Sequence, residues 1–260
     1  RMNIRSIGLI YRREMGTYFS SYIAYVVIAM FLLVTGYFFY NLLASFSVIS
    51  FQAQSNPMLE RQYNLLNINE TVVRPLFGNI SIVMLLMTPL LTMRLIAEER
   101  KSGTLELLRS YPVSDIDILL AKYLACLTVF LAMIVPTIVY PVLLIILGEP
   151  EIMPMVTGYL GLLLLGATFI SIGLFTSSLT ENQIIAAAVS FGLLFCFWLL
   201  SYSIAFVSAD LGKFIGYIAL NEHLESLAKG VLDSEDIIYY LGLISLFIFL
   251  SLRSMEAKQW

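Results

Sequence analysis

Leu160-Gly161-Leu162-Leu163-Leu164-Leu165 offers no polar face at any periodicity, and Leu246-Phe247-Ile248-Phe249-Leu250 repeats the pattern near the other end of the chain. A strand in a membrane barrel alternates lipid-facing and lumen-facing positions over about ten residues. A segment apolar on every side is instead a helix set among lipid or other helices. Outward from these two stretches the apolar runs widen to 156–178 and 237–253, and four more of the same kind lie at 21–44, 76–97, 115–147 and 184–207. At 1.5 Å per residue such runs cross roughly 30 Å of hydrocarbon. Composition agrees: 59% of residues are hydrophobic, 13% are charged, and the mean hydropathy is +0.87. The fold expected is an all-α integral membrane protein, one transmembrane domain over 1–260 with six spanning helices.

Residues 3–20 place Ile4, Ile7, Ile10 and Tyr18 among Arg5, Arg12, Arg13 and Glu14 at helical spacing, which suits a helix lying in the membrane interface with its basic side toward headgroups. The run at 21–44 exceeds the apolar core of a signal peptide and is read as a retained span. Residues 45–75 form a polar loop, while 148–155 and 179–183 are tight turns. The segment 208–236 mixes Asp210, Lys213, Glu222, His223, Glu225 and Lys229 with Phe214, Ile218, Leu224 and Leu227, the pattern of an amphipathic stretch that dips partway into the bilayer from outside. His223, the only histidine, is read as a solvated interfacial side chain, since a zinc site needs three or four convergent ligands. Cys126 and Cys196 lie within spans and read as small buried hydrophobes.

Basic residues resist translocation. With six spans, one side of the membrane holds eleven of the fifteen Lys and Arg residues, among them Arg5, Arg12, Arg13, Arg94, Arg100, Lys101 and Lys122. Both termini are therefore expected in the cytoplasm of a cell with the chain in its inner membrane. The net charge of −3 arises from the acids of the opposite face, and nothing suggests nucleic acid as a partner.

Small residues four apart (Ala167 and Ser171, Gly173 and Ser177, Ala186 and Ser190, Ala188 and Gly192) predict close approach of the fourth and fifth spans. Pro89, Pro136 and Pro141 predict bends in spans two and three. No acid, Lys or Arg falls at the centre of a span, unlike the ion-coupled carriers, which keep an ionisable residue there despite a cost of about 2.5–3.5 kcal/mol. The chain has no phosphate-binding loop, no nucleophile–base arrangement and no metal-binding cluster, so no catalytic residue, cofactor site or metal site is expected on it. Energy for uphill movement has to come from another chain.

The one dense run of mixed charge between spans is Glu98-Glu99-Arg100-Lys101-Ser102-Gly103-Thr104-Leu105-Glu106-Leu107-Leu108, within the connection 98–114. Gly103 permits a sharp redirection, and Thr104–Arg109 predicts a short helix with Leu105 and Leu108 on one face. Pro112 breaks that helix, and Ser114 with Asp117 caps the next span.

This run, followed by Pro112-Val113-Ser114 directly after a second span, resembles the hallmark of ABC type-2 transporter permeases, and the similarity extends over the whole chain. The closing segment from His223 to Tyr240 and on to Trp260 is similar to the branch containing GldF and NosY. The resemblance implies a permease subunit of an ATP-driven exporter that dimerises with an identical or homologous permease in the lipid bilayer, with a partly inserted helical hairpin outside between spans five and six. Two copies of a cytoplasmic ABC ATPase would bind the ATP and magnesium. Glu98, Glu99, Arg100, Gly103, Thr104, Glu106 and Leu107 would form the ATPase-facing coupling segment, with Glu181 in the turn Thr180–Gln183 as a smaller second contact. The resemblance also allows an extracytoplasmic accessory protein, and with it a second reading: a scaffold that transmits ATP-driven motion to that partner without moving a solute.

Overall fold

The computed structural model describes residues 4–55, 67–110, 113–148 and 150–257, and no strand occurs among them. Six helical stretches in it are long and apolar enough to cross a membrane: Tyr22–Gln52, Asn69–Lys101, Asp115–Leu147, Ile152–Leu179, Gln183–Ser203 and Ser234–Ala257. In chain order the α-helices are α1 (Ile4–Ser20), α2 (Tyr22–Ser55), α3 (Arg74–Thr92), α4 (Ala97–Lys101), α5 (Thr104–Ser110), α6 (Asp115–Ile134), α7 (Val139–Leu147), α8 (Ile152–Leu179), α9 (Gln183–Ser203), α10 (Ala209–Ile218), α11 (Leu220–Ala228) and α12 (Ser234–Ala257).

Local chemistry explains the boundaries. Ser114 accepts from the Asp117 amide at the start of α6, and Asn182 accepts from Ile184 and Ile185 at the start of α9. Pro136 cannot donate to the helical ladder, and the chain tightens into a 3₁₀ turn over Val135–Ile138 before α7 resumes the same span. α2 runs on to Ser55, eleven residues past the end read from hydropathy. Ser45 and Ser47 turn their hydroxyls back onto the carbonyls of Asn41 and Ala44, so polar positions are carried without breaking the helix. Much of the expected loop 45–75 is therefore helical; of the rest, 56–66 lies outside the described residues.

α8 is the axis of the bundle. Its spanning window is 78% buried, against 17% for α9 and for α12. Small residues on α8 make that burial possible, because a Cβ at Gly158 would overlap the Phe77 ring of α3, one at Gly166 the Phe130 ring of α6, and one at Gly173 the Thr92 side chain. The fourth and fifth spans do pack together, with Ala186 and Ser190 buried, but the pairing is broader than expected. The glycines of the fourth span admit spans two and three, while Ala188 and Gly192 of α9 face outward, with no atom within 4 Å of a Cβ built on Gly192. Between helices in lipid, close packing of this kind is the main source of association.

Side-chain bonds mark two ends of the bundle. At one end Thr157 of α8 donates to the Leu227 carbonyl of α11 at 2.6 Å, and at the other Ser254 of α12 donates to the Ser178 carbonyl at 3.1 Å. Those α8 positions are about 30 Å apart. α3, α8 and α12 run in the same direction, and α1 and the last turn of α12 share the end that carries the α3–α4 connection.

Candidate functional site

α3 stops at Thr92 and the chain turns through Met93–Ile96 before α4 begins. A helix start inside a membrane protein leaves amide donors that need partners. Ser177 of α8 supplies one: its Oγ accepts from the amides of Ile96 at 3.0 Å and Ala97 at 3.1 Å, and its hydroxyl donates to the Met93 carbonyl at 3.2 Å. One side chain thus satisfies both sides of the break. Gly173, one turn earlier on α8, leaves the space that Thr92 fills.

α4 and α5 form an elbow. Ser102 folds its hydroxyl onto the Glu98 carbonyl at 2.9 Å, and Gly103 reverses the chain at φ +69°. A Cβ at Gly103 would meet nothing within 4 Å, so the backbone conformation alone calls for glycine there. α5 then packs inward: Leu105 is 4% exposed, and Leu108 rests on Ile10, Ile118 and Ala121.

At the centre of the elbow lies a buried ionic cluster. Lys122, on the second turn of α6 and 1% exposed, places Nζ 3.0 Å from Glu14 Oε1 of α1 and 3.1 Å from Glu99 Oε2 of α4. Arg13 Nη2 lies 3.5 Å from the other Glu99 oxygen. Glu14 accepts an aligned hydrogen bond from Lys122, whereas the Glu99 Oε2 contact is an ion pair without that alignment. One buried cation thus faces two buried carboxylates, and the exposed Arg13 guanidinium completes the charge balance from the solvent side. Tyr11 and Tyr18 fasten the same face of α1, the first to Thr128 of α6 at 3.0 Å and the second to the Leu91 carbonyl of α3 at 3.2 Å. Burial, the largest cause, holds the Tyr18 phenol well above its usual pKa. A cleft of about 260 Å³ opens beside the cluster, between Arg13, Arg94 and Glu98.

The residues singled out from sequence divide by orientation. Glu98, Glu106 and Leu107 are exposed on the elbow, Leu107 by 65%, and Arg100 and Thr104 are half-buried. Glu99, 7% exposed, turns inward onto Lys122. Glu181 is exposed in the turn between α8 and α9, at the same end of the bundle, and α9 approaches α4. Arg5, Arg12 and Arg13 are all exposed on α1, and Arg13 also reaches Glu99. Pro112, read as the breaker of α5, lies outside the described residues.

Lys122, Glu14 and Ser177 were not anticipated as site residues. The available signal was a lone ammonium inside Ile118-Leu119-Leu120-Ala121-Lys122-Tyr123-Leu124-Ala125, which calls for a partner. Two readings need correction. His223 is not solvated: it is 6% exposed and bonded to Asp236. Cys126 is buried, but Cys196 is exposed on α9.

Among the described residues no group of His, Cys, Asp and Glu side chains is placed to hold a metal ion. Residues 40–252 match the family described as ABC-2 family transporter protein. No curated protein matches the chain.

Proposed function

The chain belongs to the ABC-2 transporter family as a multi-pass membrane permease subunit, and on that premise we propose that the α4–α5 elbow receives motion from a separate cytoplasmic ABC ATPase and passes it to the spans. The observation that supports this reading is the way the elbow is held. Ser177 joins it to α8, Lys122 joins it to α6, and Glu14 and Arg13 join it to α1. A push on so short a lever moves four elements together instead of being absorbed by a flexible loop.

In this proposal Glu98, Glu106 and Leu107, with Glu181 beside them, meet the ATPase. Arg100, Gly103 and Thr104 shape the lever, and Glu99 fastens it to the bundle. ATP and magnesium reside on the partner. The working unit is two permeases with two ATPases, the elbow and both termini are cytoplasmic, and the membrane is the inner membrane of the cell. The His223–Tyr240 segment supports placement in the GldF- and NosY-like branch.

The test is reconstitution of the chain with its ATPase. Glu106→Lys and Leu107→Asp are expected to abolish ATPase capture while the permease stays folded, and Gly103→Val to retain insertion but lose stimulated hydrolysis. Undiminished capture and stimulation in all three would overturn the assignment of the elbow. Solute movement in the same vesicles separates an exporter from a mechanical scaffold acting on an extracytoplasmic protein.

A further inference from the structure

The end of the bundle away from the elbow carries a second buried polar centre, built around the chain's single histidine. His223 of α11 places Nδ1 2.6 Å from Asp236 Oδ1 of α12 and Nε2 3.2 Å from the Tyr217 carbonyl of α10. The Tyr239 ring stacks on the imidazole with centroids 4.0 Å apart, and Tyr240 meets it edge-on at 6.1 Å. Both Asp236 and His223 are 6% exposed.

A neutral imidazole has one N–H and one bare lone pair. Here both nitrogens face acceptors, a carboxylate and a backbone carbonyl, and only the doubly protonated ring donates to both. Asp236 Oδ2 is buried without a hydrogen-bond partner, so His223 is the main compensation for that carboxylate. The other groups around the ring agree in sign. Glu222 adjoins it on α11, while Glu225 faces away onto Arg74 and Lys229. α12 offers Asp236 and the two tyrosines, α10 offers a carbonyl, and α8 meets α11 through Thr157 and Gly161, which carry no charge.

The imidazole joins three helices; α10 otherwise packs on the end of α9 and the Ile204–Phe206 turn, where Gly212 lies beside Ile204 and Val207. Gly212 is the one buried residue of α10 among those whose burial is described, and Leu211, Phe214 and Tyr217 are each more than half exposed. Its other side-chain tie to α12 is the Tyr239 hydroxyl donating to the Ile218 carbonyl, from the ring stacked on His223.

We propose that His223, Asp236 and the Tyr217 carbonyl form a proton-operated latch, which holds α10 on α12 while the imidazole is charged and frees α10 when the proton leaves. The closed hairpin binds the charged form preferentially. The latch is therefore shut while the ring carries both protons and opens on the alkaline side, as the ring loses one of them. This device is independent of the elbow, and its test does not need the ATPase.

The single histidine makes the test direct. The full chain, labelled with ¹⁵N-histidine and held in phospholipid nanodiscs, gives one imidazole signal pair. Two protonated ring nitrogens are expected at the acid end of a pH series and one at its alkaline end. Over the same interval, deuterium uptake in 209–218, taken relative to 162–174 in the same sample, is expected to rise roughly tenfold, the worth of one charged hydrogen bond. Asp236→Asn should remove the pH step from the uptake ratio. A ring that stays neutral throughout, or a wild-type ratio that stays flat, would overturn the latch. The wild-type measurements decide the matter even if the variant folds poorly.

Discussion

Lys122 and Glu99 meet 3.1 Å apart inside the bundle, joining the third span to the charged segment that follows the second. Removing the cation leaves two buried carboxylates facing each other, whereas removing Glu99 still leaves Lys122 with Glu14. Lys122→Met is therefore expected to cost about 3–5 kcal/mol and Glu99→Gln distinctly less. The double variant should recover part of the Lys122→Met loss. Thermal unfolding of the detergent-solubilised chain checks the ranking, and strictly additive losses would show that the two groups do not interact.

Ser177→Ala withdraws one acceptor from two amides and one donor from a carbonyl, an unsatisfied set worth about 1–3 kcal/mol. Faster exchange is expected at Ile96 and Ala97, with helix α8 itself unchanged. Hydrogen exchange localised to single amides measures this, and unaltered protection at both positions would remove Ser177 from the elbow's support.

Gly173 and Gly192 should respond in opposite ways to the same methyl group. Gly173→Ala drives a Cβ into Thr92, and overpacking of this kind costs about 1–3 kcal/mol. Gly192→Ala meets no atom of its own chain and raises helix propensity, so the isolated subunit should be unharmed or slightly firmer. If Gly192→Ala weakens self-association of the subunit while leaving the fold intact, α9 faces a second permease.

Sidedness follows from the spread of basic residues. Ser102→Cys in the elbow is expected to react with a membrane-impermeant maleimide only after the cells are opened, and Ser55→Cys at the far end of α2 to react in intact cells. The opposite pattern would place the elbow outside, where no ATPase could reach it.

What sequence alone revealed, and what it did not, follows from how far apart the interacting residues lie. A span is a local property, and six emerge from hydropathy, although α2 runs eleven residues past the end read there. The redirection at Gly103 is also local, set by one backbone conformation. The cluster is not, since Glu14 and Lys122 are 108 residues apart in the chain and no periodicity connects them. His223 misled for a different reason. Its neighbours Glu222 and Glu225 look toward solvent, while its partner Asp236 sits in the first turn of α12, where acids are already expected at a helix start. That ordinary explanation concealed the second role. The small-residue pairs pointed to close packing but not to the neighbour, because one helix surface meets several others.

The ionic cluster also imposes an order on biosynthesis. Glu14 and Glu99 are translated before Lys122, and the ammonium sits near the start of the apolar third span, buried where it needs a counter-charge. Both counter-charges are already waiting when it arrives. The first helix thus supplies half of the socket for that lysine, and a chain lacking its first twenty residues would leave Lys122 with Glu99 alone.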